Sequence, residues 1–495
     1  MIVKTDNAQI QSYLVDAANY KGFCEAVYFP ENENEVMELV RFAIREKKKI
    51  TVAGNGTGLT GARVPEGGIV LATDKLNGII ELNEAEKYAV VQPGMLMSDF
   101  KKLTEEKKLF YPPDPTEQNC FLGATVATNA SGAKTFKYGA TRNFVLGLNV
   151  ILPDGEKVVL ERGRQFANGF NFTLKTESGK NINCKLPDYK MPETKHAAGY
   201  YCKENMDVID LFIGSEGTLG IITQIKLKLL EKPGSLLSAV VFFEHENDAL
   251  DFITEARNKS YETRKNMTEL GLDAMGLEYF DKNSLDFLRE DFSQIPSGYE
   301  AAVWFEQDCT TGEYESILEK WITLLRKHNA NPDVSWIAES ETDRKKFHEF
   351  RHAISSKVNE FINKNNLRKV GTDTAVPDKN FIDFYFYSKR LAMESGIKFV
   401  IYGHFGNSHL HLNLLPANDA QFRKAKFIYK QILNKAVELE GTISAEHGIG
   451  KLKREYLLEM FGEENIRKMA RLKKCIDPYL ILGIGNLFEE KYLLE

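Results

Sequence analysis

The sequence has few cysteines and no long apolar run. Six cysteines occur among 495 residues, widely separated and without a C-x-x-C pair, which is typical neither of a disulfide framework nor of a zinc ribbon. Reduced thiols are therefore expected. No stretch approaches the roughly 18 consecutive apolar residues of a membrane span, and the start, MIVKTDNAQI, lacks the pattern of a signal peptide. These absences predict a cytoplasmic protein and leave open peripheral contact with the inner membrane.

The sequence also lacks a large excess of either charge. Its 64 basic and 70 acidic side chains give a formal net charge of −6, whereas a nucleic-acid-binding protein would show a basic footprint. Hydrophobic residues at 43% and charged residues at 27% are ordinary globular values and argue against intrinsic disorder. At roughly 100–200 residues per domain, the length predicts two to four domains.

Short strands and helices alternate with glycine-rich loops through about residue 230. Apolar side chains over residues 36–49 recur at helical spacing, and residues 50–53 read as a short buried strand. Ser98–Lys108 is predicted as a helix capped by its serine, and Val145–Leu152 as a strand. We interpret this region as one α+β unit.

The composition changes at residues 231–234, and strand–helix pairs follow. They indicate an antiparallel sheet covered by helices, and the last residues are predicted to be helical. The pairs are Leu236–Phe243 with Asn247–Asn258, Ala301–Phe305 with Thr311–Asn329, and Phe399–Tyr402 with Asp419–Glu438. We therefore predict an α+β fold whose domains cover residues 1–233 and 234–440, with a C-terminal helical segment over 441–495 that returns to the first domain.

Three segments are rich in glycine and other small residues. They are GNGTGLTG at 54–61, LGATVATNASG at 122–132 and IGSEGTLGIIT at 213–223. A glycine-rich loop after a strand can direct several backbone N–H groups at a phosphate. The first loop matches neither G-x-G-x-x-G nor a P-loop, so a tight turn is an equal alternative for it alone. The other two segments favour a large flat ligand that the backbone approaches closely.

With VQPG at 91–94, PPDPT at 112–116 and YGATRNFVLGL at 138–148, these segments resemble the FAD-binding domain of the vanillyl-alcohol-oxidase/PCMH superfamily. The resemblance implies a PCMH-type domain of two subdomains, with the FAD pyrophosphate on the first loop. That loop has no His or Cys, to which some members link FAD, so non-covalent FAD is predicted. The residues implied to bind FAD are Gly54, Asn55, Gly56, Thr57, Gly58, Leu59, Thr60, Gly61, Pro113, Thr116, Gly123, Ala124, Val126, Asn129, Ala130, Gly132, Glu216, Gly217, Gly220 and Ile221.

Four of the nine histidines lie within residues 404–447. On a strand, His409, His411 and Asn413 share one face because leucines separate them. His404 would lie opposite His411 on a straight strand, but residues 406–408 can form a bulge or turn that brings the two together. Two imidazoles and a carboxylate with an open position suit Zn²⁺, Mn²⁺ or a similar ion. The alternative is the polar face of an exposed strand.

The segment GHFGNSHLHLN at 403–413 is similar to the G-H-x-G-D-G-N-x-H-x-N motif of the D-2-hydroxyacid dehydrogenase branch, which includes D-lactate, D-2-hydroxyglutarate and glycolate dehydrogenases. SAEHGIG at 444–450 is similar to that branch's second motif. The resemblance implies a metal bound by His404, His411 and Glu446, with His447 as catalytic base and Asn413 as a substrate contact. Three residues depart from the motif, and His409 is left open as a bystander, an extra ligand or a substrate contact. The departures are Asn407 for Asp, Ser408 for Gly and His409 for Asn.

Arg351 matches an arginine that holds the substrate carboxylate in this branch, a task that suits a guanidinium. The alternative is a solvated arginine on a charged helix over Asp343–Asn363. Ser355, a further implied substrate contact, and Gly371 stand where D-2-hydroxyglutarate dehydrogenases have Thr and Lys. A distal carboxylate therefore has no obvious partner, which favours a monocarboxylate. The family's C-terminal I-L-N-P-G-K reads ILGIGN at 481–486, so a flavin contact by this tail is left open.

These features predict FAD-dependent oxidation of a D-2-hydroxy acid to the 2-oxo acid, with a divalent metal (Zn or Mn) orienting the substrate. His447 and Arg351 would be the catalytic residues. A quinone, a cytochrome, an electron-transferring flavoprotein or oxygen would accept the electrons, and a homodimer is compatible with the sequence. Two alternatives are a non-redox FAD lyase or synthase of the alkylglycerone-phosphate-synthase type and a flavin-binding subunit of a larger dehydrogenase complex.

Overall fold

The structure is a computed structural model that describes residues 1–310, 312–365 and 367–494. Its N-terminal half mixes short strands with helices. The strands are β1 Ile2–Lys4, β2 Ala26–Phe29, β3 Ile50–Ala53, β4 Ile69–Ala72, β5 Ile79–Asn83, β6 Tyr88–Val91, β7 Leu109–Phe110, β8 Val145–Ile151, β9 Lys157–Glu161, β10 Asn171–Lys175, β11 Asn181–Lys185, β12 Ile221–Lys228 and β13 Leu230–Glu231. The helices are α1 Asn7–Ile10, α2 Glu33–Arg45, α3 Met97–Glu106, α4 Leu122–Ala127, α5 Thr135–Tyr138 and α6 Ile209–Phe212.

The rest of the chain has longer strands and helices. The strands are β14 Ser235–Phe243, β15 Gly276–Asp281, β16 Ala301–Cys309, β17 Trp336–Ile337, β18 Val370–Gly371, β19 Thr374–Ala375, β20 Lys398–Gly403 and β21 His409–Leu415. The helices are α7 Glu246–Asn266, α8 Lys282–Leu288, α9 Tyr314–Lys327, α10 Glu341–Lys364, α11 Phe381–Ser395, α12 Asp419–Glu438, α13 Arg454–Phe461, α14 Glu463–Ile476 and α15 Lys491–Leu494. The predicted α+β fold is confirmed.

The first sheet has the strand order β1-β2-β4-β3, with β2, β4 and β3 parallel. The apolar face of α2 packs on it through Val36, Leu39 and Val40. This helix begins three residues before the predicted start, because the Asn32 side chain accepts a hydrogen bond from the Glu35 N–H and caps it there. A second, antiparallel sheet has the order β5-β6-β12-β8-β9.

The predicted serine cap of α3 is wrong. The helix begins at Met97, and no side chain of a described residue caps it. The Ser98 N–H instead donates to the Gln118 carbonyl at 3.1 Å and the Met97 N–H to the Cys120 carbonyl at 2.9 Å. A neighbouring loop therefore satisfies donors that a serine side chain would otherwise satisfy.

An antiparallel sheet of eight strands follows, in the order β17-β14-β16-β15-β20-β21-β18, with β19 paired to β21. Successive side chains of β16 point to opposite faces of the sheet, and nearly all of them are buried. Helices therefore cover both faces. Phe305 packs with Trp321 on one face, and Trp304 lies in a separate cluster with Phe350 on the other. The helix predicted from Thr311 begins at Tyr314 in the structure, and Thr311 itself lies outside the described residues.

The chain end lies on the first sheet. The Ile50 N–H donates to the Ile481 carbonyl at 2.6 Å, and the Gly483 N–H donates to the Ile50 carbonyl at 2.9 Å. Ile481 and Leu482 are buried in the same cluster as α2. The domain boundaries at residues 233 and 440 stay a prediction. No helix among the described residues has both the length and the apolar character to cross a membrane.

The expectation of reduced thiols is wrong for one pair of cysteines. Cys184 in β11 and Cys475 in α14 form a disulfide across 291 residues of sequence. The packing of α14 on the β10–β11 hairpin brings the two together, with their Cα atoms 6.0 Å apart. Four other cysteines are free thiols. A pair this distant in sequence leaves no local spacing pattern, so composition alone could not reveal it.

Candidate active site

The three small-residue segments lie side by side. A Cβ built on Gly54 would lie 3.1 Å from the Ala124 side chain, which joins the first segment to the second. The Glu216 N–H donates to the Ala127 carbonyl at 2.8 Å and joins the third segment to the second. The PPDPT loop also packs here, because a Cβ on Gly132 would lie 1.8 Å from the Asp114 carbonyl oxygen. Small residues are therefore required where these backbones meet.

The loop at 54–61 is a set of unused backbone donors. Among the described residues, the N–H groups of residues 55–60 donate to no protein acceptor. Gly56 and Gly61 have φ values of +81° and +75°, which L side chains rarely adopt, and a Cβ on Gly58 would meet no atom of the described residues within 4 Å. Successive free N–H groups on a glycine-rich turn fit the diphosphate of a dinucleotide such as FAD.

The three small-residue segments together form a cradle. The remaining residues implied to bind FAD are divided between this cradle and the packed sheet. Buried Asn129 and Glu216 both have left-handed backbone conformations, at φ +49° and +53°. A Cβ on Gly220, by contrast, would lie 2.3 Å from a Val150 methyl, and Ile221 pairs with Ile151 in the sheet. The others lie in the adjoining segments, namely Pro113, Thr116, Gly123, Val126, Ala130 and Gly217.

Glu216 connects the third segment to the loop that carries His447. Its carboxylate oxygens accept hydrogen bonds from the Ile449 N–H at 2.7 Å and the Gly450 N–H at 2.6 Å. Burial raises the pKa of Glu216 to about 7, although the two backbone donors favour its ionised form. The two segments are thereby held in a fixed relation.

The chain tail also reaches the predicted FAD segments. The Asn486 side-chain amide donates to the Glu216 carbonyl at 3.1 Å and to the Ala62 carbonyl at 2.9 Å. Lys451 donates to the Asn486 side-chain oxygen at 2.8 Å. The tail thus lies between the first and third segments even though its sequence departs from the family pattern.

A tight turn brings His404 and His411 together, as the sequence predicts. His404 follows β20, residues 405–407 form one turn of 3-10 helix, and Ser408 at φ +51° leads into β21. A Cβ on Gly403 would lie 2.7 Å from the His409 carbonyl oxygen, so glycine is required there. The strand is fully buried, which excludes the alternative of an exposed polar face.

Two residues that depart from the related motif lie in this turn. The Ser408 hydroxyl accepts a hydrogen bond from Arg257 and donates one to Asp378, and the Asn407 side-chain oxygen is buried without a hydrogen bond from any described residue.

Both histidines direct Nε2 at Glu446. Nδ1 of His404 donates to a Glu278 oxygen at 2.7 Å, and Nδ1 of His411 donates to the Thr372 carbonyl at 3.1 Å. Since these acceptors cannot donate, each Nδ1 carries a proton, and the two Nε2 atoms are the ones that would bind a metal ion. The Nε2 atoms lie 3.3 Å and 3.2 Å from Glu446 oxygens. Imidazoles oriented from behind in this way are typical of metal sites, and this donor set fits a divalent transition-metal ion.

Two further residues of the cluster were not predicted. The Lys195 ammonium lies 2.8 Å from a Glu446 oxygen and 3.2 Å from Nδ1 of His409. Glu278 contacts both His404 and Arg351, and these partners outweigh the effect of burial and lower its pKa to about 2. Neither residue lies in a segment that carried a motif, so no local signal in the sequence could have revealed them.

Asp373 holds the loop that carries His447, and the sequence did not predict this residue either. This buried carboxylate accepts hydrogen bonds from the N–H groups of residues 445, 446 and 447 at 3.0–3.2 Å and from the Lys453 ammonium at 2.8 Å. One of its oxygens lies 3.4 Å from Nδ1 of His447. Burial disfavours its charge, but His447 and Lys453 outweigh burial and hold the pKa of Asp373 well below its usual range.

His447 is a neutral base at neutral pH. Burial lowers its pKa to about 4, and the Asp373 charge only partly offsets that effect. Its side chain remains 28% exposed, and its ring lies 5.5 Å from that of His411. Its Nε2 lies 3.7 Å from a Glu446 oxygen, and this nitrogen can accept a proton when the hydrogen of the neutral ring is on Nδ1.

Arg351 is buried rather than solvated. Its Nε donates to a Glu278 oxygen at 3.2 Å, and Nη1 lies 2.8 Å from Nε2 of His352. Nη2 has no hydrogen-bond partner among the residues that the structure describes.

The other predicted substrate contacts, Ser355 and Asn413, both approach the Tyr402 hydroxyl. Their contacts oppose the rise in the pKa of Tyr402 that burial causes. The predicted substrate contacts thus lie near the histidine cluster.

The cluster adjoins the small-residue segments directly. The Ser131 hydroxyl, in the second segment, lies 3.3 Å from a Glu446 oxygen. Together with the Glu216 contacts, this places the imidazoles beside the cradle that fits a dinucleotide.

Two family models match the chain. Residues 24–161 match the FAD binding domain, and residues 239–487 match the C-terminal domain of FAD linked oxidases. The chain belongs to the FAD-linked oxidases. It is therefore a flavoprotein and an oxidoreductase, which confirms the predicted family and, of the predicted cofactors, FAD.

Relatives of this FAD-linked oxidase are similar over nearly its whole length. Glycolate oxidase subunit GlcD of Bacillus subtilis is 29% identical over 97% of this chain and 93% of its own length. D-lactate dehydrogenase of Anaerostipes hadrus is 28% identical over 92% and 87%. D-2-hydroxyglutarate dehydrogenase of Stutzerimonas stutzeri is 26% identical over 98% and 96%.

Solved structures share the fold. An alkyldihydroxyacetonephosphate synthase superposes with a TM-score of 0.67 at 16% identity, covering 97% of this chain and 81% of its own. The 4-ethylphenol oxidase of Gulosibacter chungangensis superposes with a TM-score of 0.66 at 18% identity, covering 99% and 95%. Likeness at these identities establishes the PCMH-type architecture alone.

Proposed function

We propose that this protein oxidises a D-2-hydroxy acid to the 2-oxo acid, using non-covalent FAD and a divalent metal. The observation that carries the proposal is His447, a neutral and accessible imidazole held by Asp373 beside a buried cluster of imidazoles and a carboxylate. The names of the three relatives support the substrate class. In this proposal the loop at 54–61 holds the FAD diphosphate, and His404, His411 and Glu446 hold the metal.

His447 is the proposed general base. In the tautomer with its hydrogen on Nδ1, which lies 3.4 Å from an Asp373 oxygen, Nε2 carries the lone pair that accepts the hydroxyl proton of the substrate. Asp373 then stabilises the imidazolium that forms. FAD, when bound, supplies the acceptor for the hydrogen that leaves Cα with its electron pair. A divalent ion, when bound, supplies Lewis acidity that lowers the pKa of the substrate hydroxyl.

Arg351 is proposed to fix the substrate carboxylate. Glu278 and His352 hold two nitrogens of its guanidinium and set the plane of the group. The remaining Nη2 is the donor available to the substrate. A carboxylate fixed in this way keeps Cα in a constant position during the reaction. Ser355, Asn413 and His409 were the other predicted contacts.

A lactate-like monocarboxylate is favoured over a dicarboxylate. Gly371 stands where a lysine would meet a distal carboxylate, and a Cβ there would lie 2.4 Å from the Asn413 side-chain oxygen. A longer side chain at residue 371 would therefore displace a proposed substrate contact. The chain offers no lysine at this position for a second carboxylate.

One alternative function is supported by a specific observation. The Bacillus relative is named as a subunit, so the protein is also a candidate for the flavin-binding subunit of a larger dehydrogenase. The Asp373–His447 arrangement favours catalysis by this chain in either case. The synthase alternative rests on a shared fold alone. A quinone, a cytochrome or an electron-transferring flavoprotein is the proposed electron acceptor, and a homodimer stays a proposal.

Anaerobic reduction of the flavin tests the proposed function. The visible absorption band of the holoenzyme is recorded with D-lactate, L-lactate, glycolate, D-2-hydroxybutyrate or D-2-hydroxyglutarate, before and after treatment with EDTA. We expect bleaching by a D-monocarboxylate, loss of bleaching on chelation, and recovery with Zn²⁺ or Mn²⁺. Bound flavin that none of these acids reduces would contradict the proposal and favour the non-redox alternative.

A further inference from the structure

We propose that His409 is a fourth protein ligand of the metal site, which makes the donor set three imidazoles and one carboxylate. The inference rests on the proposed function in that it takes His404, His411 and Glu446 as the other ligands. It goes further by giving a role to the residue at which this sequence departs from the related motif.

His409 lies within the cluster rather than beside it. Its side chain is wholly buried, and its ring centroid lies 4.3 Å from that of His411 and 5.2 Å from that of His404. One candidate ligand atom from each of His404, His409, His411 and Glu446 can be chosen so that all four lie within 4.8 Å of one another. A single ion can therefore be shared among the four side chains.

Asp373 determines which nitrogen of His409 is free. Its Oδ1 lies 3.0 Å from Nε2 of His409. Because a carboxylate oxygen only accepts, the proton is on Nε2 and the lone pair is on Nδ1. This is the same arrangement as in His404 and His411, each of which has its proton held from behind by an acceptor. Carboxylate-backed histidines of this kind are typical metal ligands.

The free nitrogen of His409 already faces a cation. The Lys195 ammonium lies 3.2 Å from Nδ1 of His409 and 2.8 Å from a Glu446 oxygen, and its side chain is 5% exposed. An ammonium has three donors and no lone pair, so both neighbours act as acceptors towards it. The His409 nitrogen and the carboxylate thus converge on one positive charge.

The bystander interpretation explains this arrangement less well. A buried histidine with a purely structural role needs only its own hydrogen bonds. Here the free nitrogen of His409 lies beside the carboxylate that His404 and His411 also contact, and Lys195 supplies the cation among these buried groups. We infer that the divalent ion takes the position next to His409 and Glu446 and displaces the Lys195 ammonium.

A third imidazole among the four ligands changes which metal the site prefers. Imidazole suits Zn²⁺ and other later transition ions, whereas carboxylates and water suit Mn²⁺. We therefore expect His409 to strengthen the binding of Zn²⁺ more than that of Mn²⁺.

The test is metal binding by the FAD-loaded protein after chelator treatment and removal of the chelator. His409→Asn introduces the residue of the related motif, and His328→Asn is the matched control, since His328 contacts Glu255 away from this cluster. We expect H409N to lose more Zn²⁺ affinity than the roughly 10–100-fold that loss of a residue behind a ligand costs, with a smaller loss for Mn²⁺, a changed Co²⁺ visible spectrum and wild-type FAD content. H328N should bind like wild type. Equal Zn²⁺ affinity and identical Co²⁺ spectra in H409N and wild type would overturn the proposal.

Wild-type protein provides a second test that needs no variant. Zinc K-edge X-ray absorption counts the imidazoles bound to Zn²⁺; three would support the inference, and two would overturn it. Neither readout requires substrate, so failure here is distinguishable from failure of the proposed oxidation. Flavin that hydroxy acids reduce in a protein whose zinc has two imidazoles would refute only the role of His409.

Discussion

The ammonium group of Lys195 lies between Glu446 and His409, within a cluster that also fits a divalent ion. Two cations a few ångströms apart in a buried site repel strongly. Replacing Lys195 by methionine keeps the length of the side chain and removes its charge. We expect K195M to bind Zn²⁺ about tenfold more tightly or better, in the same chelator-competition assay.

Lys190 offers a matched control for this substitution. It pairs with Glu440 on the surface, and both side chains are largely exposed. K190M should therefore leave the Zn²⁺ affinity unchanged. Unaltered or weaker Zn²⁺ binding by K195M would show that the ammonium does not compete with the ion.

At this scale the sequence predicted the residues that lie within short motifs. His404, His411, Glu446 and His447 lie at the same cluster because one turn and one loop carry them. Lys195, Glu278 and Asp373 reach the cluster from other parts of the chain. Their contacts depend on the tertiary fold, which no local pattern encodes.

At the scale of elements, the strand–turn–strand unit of β20 and β21 was predictable because residues 406–408 indicate a bulge or turn. The ends of helices were less predictable from the sequence, because a cap depends on which backbone donors the neighbouring loops satisfy. The extra turns of α7 and the loop that replaces the α3 cap are examples. The disulfide between β11 and α14 required knowledge of their packing.

Asp281 gives a pH-dependent prediction for the α8 element. It caps the helix from a buried position, and its Oδ1 accepts hydrogen bonds from the Ser284 N–H, the Ser284 hydroxyl and the Ile401 N–H. Burial raises the pKa of Asp281 from 3.8 to about 6. Between these values the unfolded chain loses the proton and the folded protein keeps it, so the free energy of unfolding falls as pH rises.

Asp281→Asn removes this titration and keeps an oxygen for the three donors. Since one pKa unit is worth about 1.4 kcal/mol, we expect D281N to gain up to about 3 kcal/mol relative to wild type between pH 4 and pH 7. Denaturant unfolding followed by tryptophan fluorescence measures this, because all three tryptophans lie in or beside the eight-stranded sheet. The exposed Asp286→Asn on the same helix is the control. A difference between D281N and wild type that does not vary with pH would contradict the assignment.

At the scale of the whole molecule, the proposed site forms where the FAD-binding part of the chain meets the eight-stranded sheet and its loops. Ser131 contacts Glu446, and Glu216 holds the loop after His447. The fold class and the family were predictable because three small-residue segments and two histidine motifs occur in a characteristic order. The contacts that hold the two parts together were not predictable, since each joins residues more than 200 positions apart.

The central claim is that His447 removes the hydroxyl proton while FAD is reduced. The most direct measurement is the anaerobic rate of flavin reduction, by the D-acid that bleaches the wild-type protein, in His447→Gln. We predict a rate at least about 100-fold lower, with FAD content and reduction by dithionite unchanged, and a wild-type rate in the control His328→Gln. Reduction of H447Q by the D-acid at the wild-type rate would contradict the account.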